Sequence, residues 1–117
     1  MTITNKTKLH LNTTYYFDDD GYSCDTLEEA RELSYDPSCV TVVRQQNCYM
    51  LEFSELSADL QEEACFLVAR SEFDVKPQEL MYVVGATTKQ ILIINYWTEL
   101  QKDLDKGIYT IVKEKRN

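Results

Sequence analysis

The stretch Leu80–Trp97, LMYVVGATTKQILIINYW, is the most apolar part of the chain, so any core must be built around it. Three readings compete for it. The runs LMYVV and QILIINY, joined by a turn at Gly85-Ala86-Thr87-Thr88-Lys89, make a β-hairpin. Pro77 as a helix opener and Gly85 as a helix stop make the same stretch a helix-turn-helix. Ile93, Trp97, Leu100 and Leu104 also follow the 4-3-4 spacing of a seam along one long helix over 88–106.

The side chains favour the hairpin. In a helix-turn-helix, Met81 takes a position normally kept small so that the two helices can approach. Leu92 and Ile93 then fall where a recognition helix carries polar or basic side chains to read base edges. A run such as QILIINY, apolar on both faces, suits a central strand covered on each side.

The rest of the chain reads as short strands and helices. KLHLNTTYYF (8–17) is a first strand, and Asp18-Asp19-Asp20-Gly21 turns it back toward Tyr22 and Ser23. Asp25 or Thr26 caps a short helix over 26–34, with Leu27, Ala30 and Leu33 along one edge and Pro37 ending it. Val40–Arg44 and Cys48–Phe53, separated by the polar Gln45-Gln46-Asn47, read as a second hairpin. Ser54 or Ser57 caps a helix over 57–71 that places Leu60, Ala64, Leu67 and Val68 on one face and Asp59, Glu62 and Glu63 on the other. Residues 98–106 form a further helix closed by Gly107, Ile108–Val112 a last strand, and 112–117 a frayed tail. The expected fold is one α+β domain over 1–117, a mostly antiparallel sheet with two or three helices packed on it. Its length of 117 residues suffices for a core without metal or disulfide staples.

Charge separates the chain into unequal parts. Six basic and fifteen acidic residues precede Pro77, a balance of −9; six basic and five acidic follow, a balance of +1, for a net −8. Carboxylates without compensation repel phosphates, so the first two thirds disfavour nucleic acid. No apolar run is long enough for a membrane helix, and no secretory signal is visible in MTITNKTKLHLN, so a cytoplasmic location is expected. Cys24, Cys39, Cys48 and Cys65 contain no C-x-x-C pair, and His10 is the only histidine. They read as reduced and mostly buried, with no metal or cofactor site.

Catalytic patterns are missing as well. A calcium-loop frame with Gly21 at its sixth position puts Tyr16 first and Leu27 twelfth, and neither supplies a carboxylate. His10 has no orienting partner, and the loop Gly85–Lys89 lacks the glycines of a phosphate cradle. The expectation is a non-enzymatic acidic module. It would bind a protein with a basic surface, as a stoichiometric inhibitor or nucleic-acid mimic of the mobile-element or phage type. The candidate contacts are Asp18, Asp19, Asp20, Glu52, Glu55, Asp59, Glu62 and Glu63, and the simpler account is a solubilising face. The alternative is a winged-helix-like DNA-binding regulator using 77–106, with Thr87, Thr88, Lys89 and Lys102 as its contacts. An exposed Ile93/Trp97/Leu100 seam would favour a homodimer.

Overall fold

The computed structural model describes residues 7–96 and 99–112. Its strands are β1 (Lys8–Leu11), β2 (Tyr15–Phe17), β3 (Ser23–Cys24), β4 (Thr41–Val43), β5 (Gln46–Glu52), β6 (Met81–Gly85), β7 (Ile91–Asn95) and β8 (Tyr109–Ile111). Its helices are α1 (Leu27–Leu33), α2 (Ala58–Arg70) and α3 (Leu100–Asp105). The class is α+β with antiparallel pairing throughout. Packing divides the chain into two units, one made of residues up to Asn12 with those from Gln46 onward, the other of Thr13–Gln45.

The first unit holds a five-stranded sheet in the order β7-β6-β5-β1-β8. All five residues of β6 are buried, because β5 and β7 flank it and α2 covers one face. Ser57 caps α2 by accepting from the Leu60 N–H, and Ala64, Leu67 and Val68 pack onto Leu80, Tyr82, Val84 and Ile91. Burying a Leu- or Val-sized side chain contributes about 1.5–3 kcal/mol, so this contact alone anchors the helix. Tyr82 also donates from its hydroxyl to the Pro77 carbonyl at 2.6 Å, and burial pushes its phenol up to about 12.

The helical readings of 77–106 are thereby overturned. Pro77 does open a turn of helix, but it is a single 3-10 turn, Pro77–Glu79, and the chain then runs straight into β6. One refinement applies within the hairpin: β7 is an edge strand, and the centrally buried one is β6. The ladder pairs Val84 with Ile91 and Val83 with Ile93, so Leu92 is an extra residue in a β-bulge. That bulge breaks the alternation of β7 and gave its sequence the look of a strand covered on both sides. The proposed helical seam does not form: Leu100 is buried, Ile93 sits in a strand, and Trp97 lies outside the described residues.

The anticipated hairpin of 40–53 is also corrected. β4 pairs with β2, whereas β5 pairs with β1 and β6. Gln46, placed by sequence in a polar turn, is a buried strand residue whose Oε1 accepts from the Thr87 and Thr88 N–H groups at 2.9 and 3.3 Å. It braces the loop of the β6–β7 hairpin, which closes with Gly85 donating to the Gln90 carbonyl and with Lys89 at φ 55°. KLHLNTTYYF likewise splits into β1 and β2, strands of different sheets. The break falls at Asn12, whose side-chain amide donates to the Gly107 carbonyl and to Thr110 Oγ1.

The second unit is a three-stranded sheet, β3-β2-β4, with α1. Thr26 caps α1 by accepting from the Glu29 N–H. The helix stops at Leu33, and Pro37 instead opens a 3-10 turn, Pro37–Cys39. Back in the first unit, α3 ends as read, with Gly107 at φ 76° donating to Leu104, and β8 pairs with β1. Residues 113–117 of the expected tail lie outside the described residues.

The Gln46 brace makes a specific prediction. A Cβ on Gly85 would lie 2.6 Å from Thr88 Oγ1 and 2.7 Å from Gln46 Oε1, so Gly85→Ala must displace the carboxamide. Gly85→Ala and Gln46→Ala should each cost about 1–2 kcal/mol in urea denaturation. The double variant should cost clearly less than their sum, since each removes the same brace. Additive losses would show that the glycine and the glutamine act independently.

Candidate functional site

The structure sorts the eight candidate carboxylates by what already occupies them. Asp18, expected on a solvated turn, is buried. Its Oδ1 accepts from the Asp20 and Tyr22 N–H groups at 3.0 and 2.9 Å while Gly21 takes φ 89°. Asp19 is half-buried and accepts from the Asp36 N–H through Oδ2, and its own N–H donates to Ser34. Asp20 is half-buried beside them. All three belong to the unit of Thr13–Gln45, and the Asp18 and Asp19 carboxylates help hold its turn together.

Glu52 and Glu55 are exposed but reciprocally cap the 3-10 turn Phe53–Glu55. Glu55 Oε1 accepts from the Glu52 N–H at 2.9 Å, and the Glu52 side chain accepts in return. Asp59 and Glu62 are different. Both are exposed on α2, and no ion pair forms at either among the described residues. Asp59 stands in the first turn, where the helix dipole favours its charge.

Phe66 completes this face. Four residues beyond Glu62 and seven beyond Asp59, it lies on the same side of α2 and is 52% exposed, with the Arg70 guanidinium 4.8 Å above its ring. Sequence reasoning passed over Phe66 because it sits within the apolar run ACFLVA. The helical spacing that puts Leu60, Ala64, Leu67 and Val68 inward would have placed it outward. The outer face of α2 therefore carries two carboxylates, an exposed aromatic ring and one guanidinium.

Glu63, read as outward-facing, is half-buried, and burial pushes its carboxyl upward. A carboxyl raised in the fold stabilises it fully below the ordinary glutamate range and loses that contribution as pH rises through the raised value. Glu63→Gln should therefore raise the thermal midpoint at neutral pH and leave it nearly unchanged in acid. An equal shift at both pH values would show that the charge is not responsible.

The residues of the alternative DNA-binding reading are divided too. Thr87, Thr88 and Lys89 are exposed on the β6–β7 loop, with the two threonine N–H groups committed to Gln46. Lys102 pairs with Glu99 at 2.7 Å, a hydrogen bond that pushes its ammonium upward. Nearby Asp103 is pushed upward by burial against the pull of Lys106, and its Oδ2 has no hydrogen-bond partner among the described residues.

All four cysteines are free, and two rather than most are buried: Cys24 and Cys48 are inside, Cys39 and Cys65 exposed. Burial pushes the Cys48 thiol up to about 11 and raises Cys24, and the hydrogen bond from Cys39 to Asp36 raises Cys39. All three shifts keep the sulfur protonated, opposite to what a nucleophile needs. His10 Nδ1 lies 3.0 Å from Asn47 Oδ1, its cross-strand partner. No cluster of metal-ligating side chains occurs among the described residues, and no described helix is long and apolar enough to cross a membrane.

No protein-family model matches the chain, and neither a curated protein nor a solved structure is significantly similar to it. The site must be judged on its own chemistry. One consequence concerns the turn: Asp18→Ala should cost about 1–3 kcal/mol in denaturant unfolding, and Asp18→Asn much less, because the amide oxygen still accepts both N–H groups. Equal losses would mean that charge, not acceptance, is what the turn uses.

Proposed function

We propose that this protein is a non-enzymatic, acidic protein-binding module that docks through the outer face of α2. Its partner presents a basic surface of the kind that handles nucleic acid, and the protein acts there as a stoichiometric inhibitor or nucleic-acid mimic. The carrying observation is the set on that face: Asp59 and Glu62 exposed without ion pairs among the described residues, and Phe66 half-exposed beside them. One exposed aromatic is ordinary. An aromatic ring one helical turn from Glu62 and two from Asp59, on the same side of the helix, supplies an anchor beside a steering field. The net charge of −8 extends that field and opposes approach to phosphates. A cytoplasmic setting, where thiols stay reduced, agrees with four free cysteines.

The test begins with random duplex DNA at low salt, which the protein should fail to bind. A basic partner captured from host extract should be displaced by that DNA. It should also be lost on combined Asp59→Lys and Glu62→Lys reversal, and weakened about tenfold or more by Phe66→Ala. Direct, salt-sensitive DNA binding would sink the mimic and turn attention to Lys89. Capture that survives the reversal would leave the carboxylates as a solubilising face.

A further inference from the structure

A second feature lies inside the first unit, on the flank of α2 beside the exposed stripe, with which it shares Asp59. There the helix and the sheet leave a groove of about 530 Å³. Its floor and walls are apolar: Leu51 of β5, Val84 and Gly85 of β6, Leu60 of α2 and the ring of Tyr49. Asp59 and Glu63, one helical turn apart, border it from α2, and Lys89 borders it from the β6–β7 loop. Among the described residues none of these three charges forms an ion pair. Tyr49 is 39% exposed, and the Lys8 ammonium already rests over its ring at 5.7 Å.

We infer that this groove receives one arginine or lysine side chain of the protein partner, its stem on Leu51, Leu60 and Val84 and its cation between Asp59 and Glu63. The inference rests on the protein-binding reading and gives that partner a chemistry. Long basic side chains are amphipathic, with an apolar stem and a charged head, and the groove has an apolar floor ending at two carboxylates. The cation compensates two charges that have no ion pair among the described residues, one of them on a half-buried glutamate. Lys89 argues against a bare cation as the whole ligand. In an extended peptide it meets a backbone carbonyl next to the basic residue, which orients the chain across the groove.

The probe is the blocked tripeptide acetyl-Gly-Arg-Gly-amide, titrated into the full chain and followed by amide chemical shifts. Its citrulline counterpart, equal in shape but uncharged, is the control. Saturable shifts should concentrate at Leu60, Glu63, Val84 and Lys89, and the citrulline peptide should bind about tenfold more weakly. Asp59→Asn with Glu63→Gln, which keeps both shapes, should erase that preference. Equal binding of the two peptides, shifts scattered over every acidic region, or no saturable shifts would overturn the groove. Glu62→Lys, outside the groove, separates the two proposals. Peptide binding intact with partner capture lost upholds the groove and places the docking face on the stripe. Capture without peptide binding sinks the groove and leaves the docking face standing.

Discussion

The structure of the larger unit depends on one constraint: β6 must be buried at every position. A strand apolar at every position is stable only with neighbours on both edges and cover on its faces. β5 and β7 provide the edges, and α2 seals the face that carries Tyr82 and Val84. The demand also explains the loop that follows. β6 can turn back into β7 only if the loop stays ordered beside β5, and the Gln46 carboxamide holds it there through the Thr87 and Thr88 N–H groups. Gly85 is required because a side chain at that point would occupy the space of the same carboxamide.

Legibility in the sequence followed distance along the chain. The inward stripe of α2 and the Gly107 stop were readable, because the residues that determine each lie within a few positions of one another. Thr26 and Ser57 were each one of two cap candidates, and the β6–β7 hairpin was one of three competing readings of its stretch. What failed was pairing at long range. β1 lies between β5 and β8, partners some forty and a hundred residues away, and no local signal in KLHLNTTYYF marks where it leaves one sheet for another. Gln46 was misplaced for the same reason. A glutamine between two β-prone runs looks like a turn residue until the loop it serves, forty-one positions on, is brought beside it.

The site was legible only in part, and the division is physical. Sequence can count carboxylates but cannot show which are already hydrogen-bonded to backbone. Asp18, Asp19, Glu52 and Glu55 accept N–H groups in turns and caps, so engaging them with a partner would compete with the fold. Among the described residues, Asp59 and Glu62 carry no such duty. Phe66 was invisible as a surface residue because its neighbours on both sides are apolar; only the helical phase, fixed by Leu67 and Val68 turning inward, exposes it.

The two faces of α2 do different electrostatic work, and that difference gives the binding reading its form. Exposed charges such as Asp59 and Glu62 sit in high dielectric, where each pair with a partner's cation is worth at most about 1 kcal/mol. In the proposed docking they would raise encounter rates and select the sign of the partner more than hold it. Retention requires desolvation: an aromatic ring such as Phe66 against apolar surface, or a basic stem along the floor of Leu51, Leu60 and Val84. Glu63 lies at the junction of these regimes, since burial already disfavours its charge and a cation arriving beside it removes that penalty. Half-buried with no ion pair among the described residues, this carboxylate costs the fold stability at neutral pH, and the proposed cation would offset that cost.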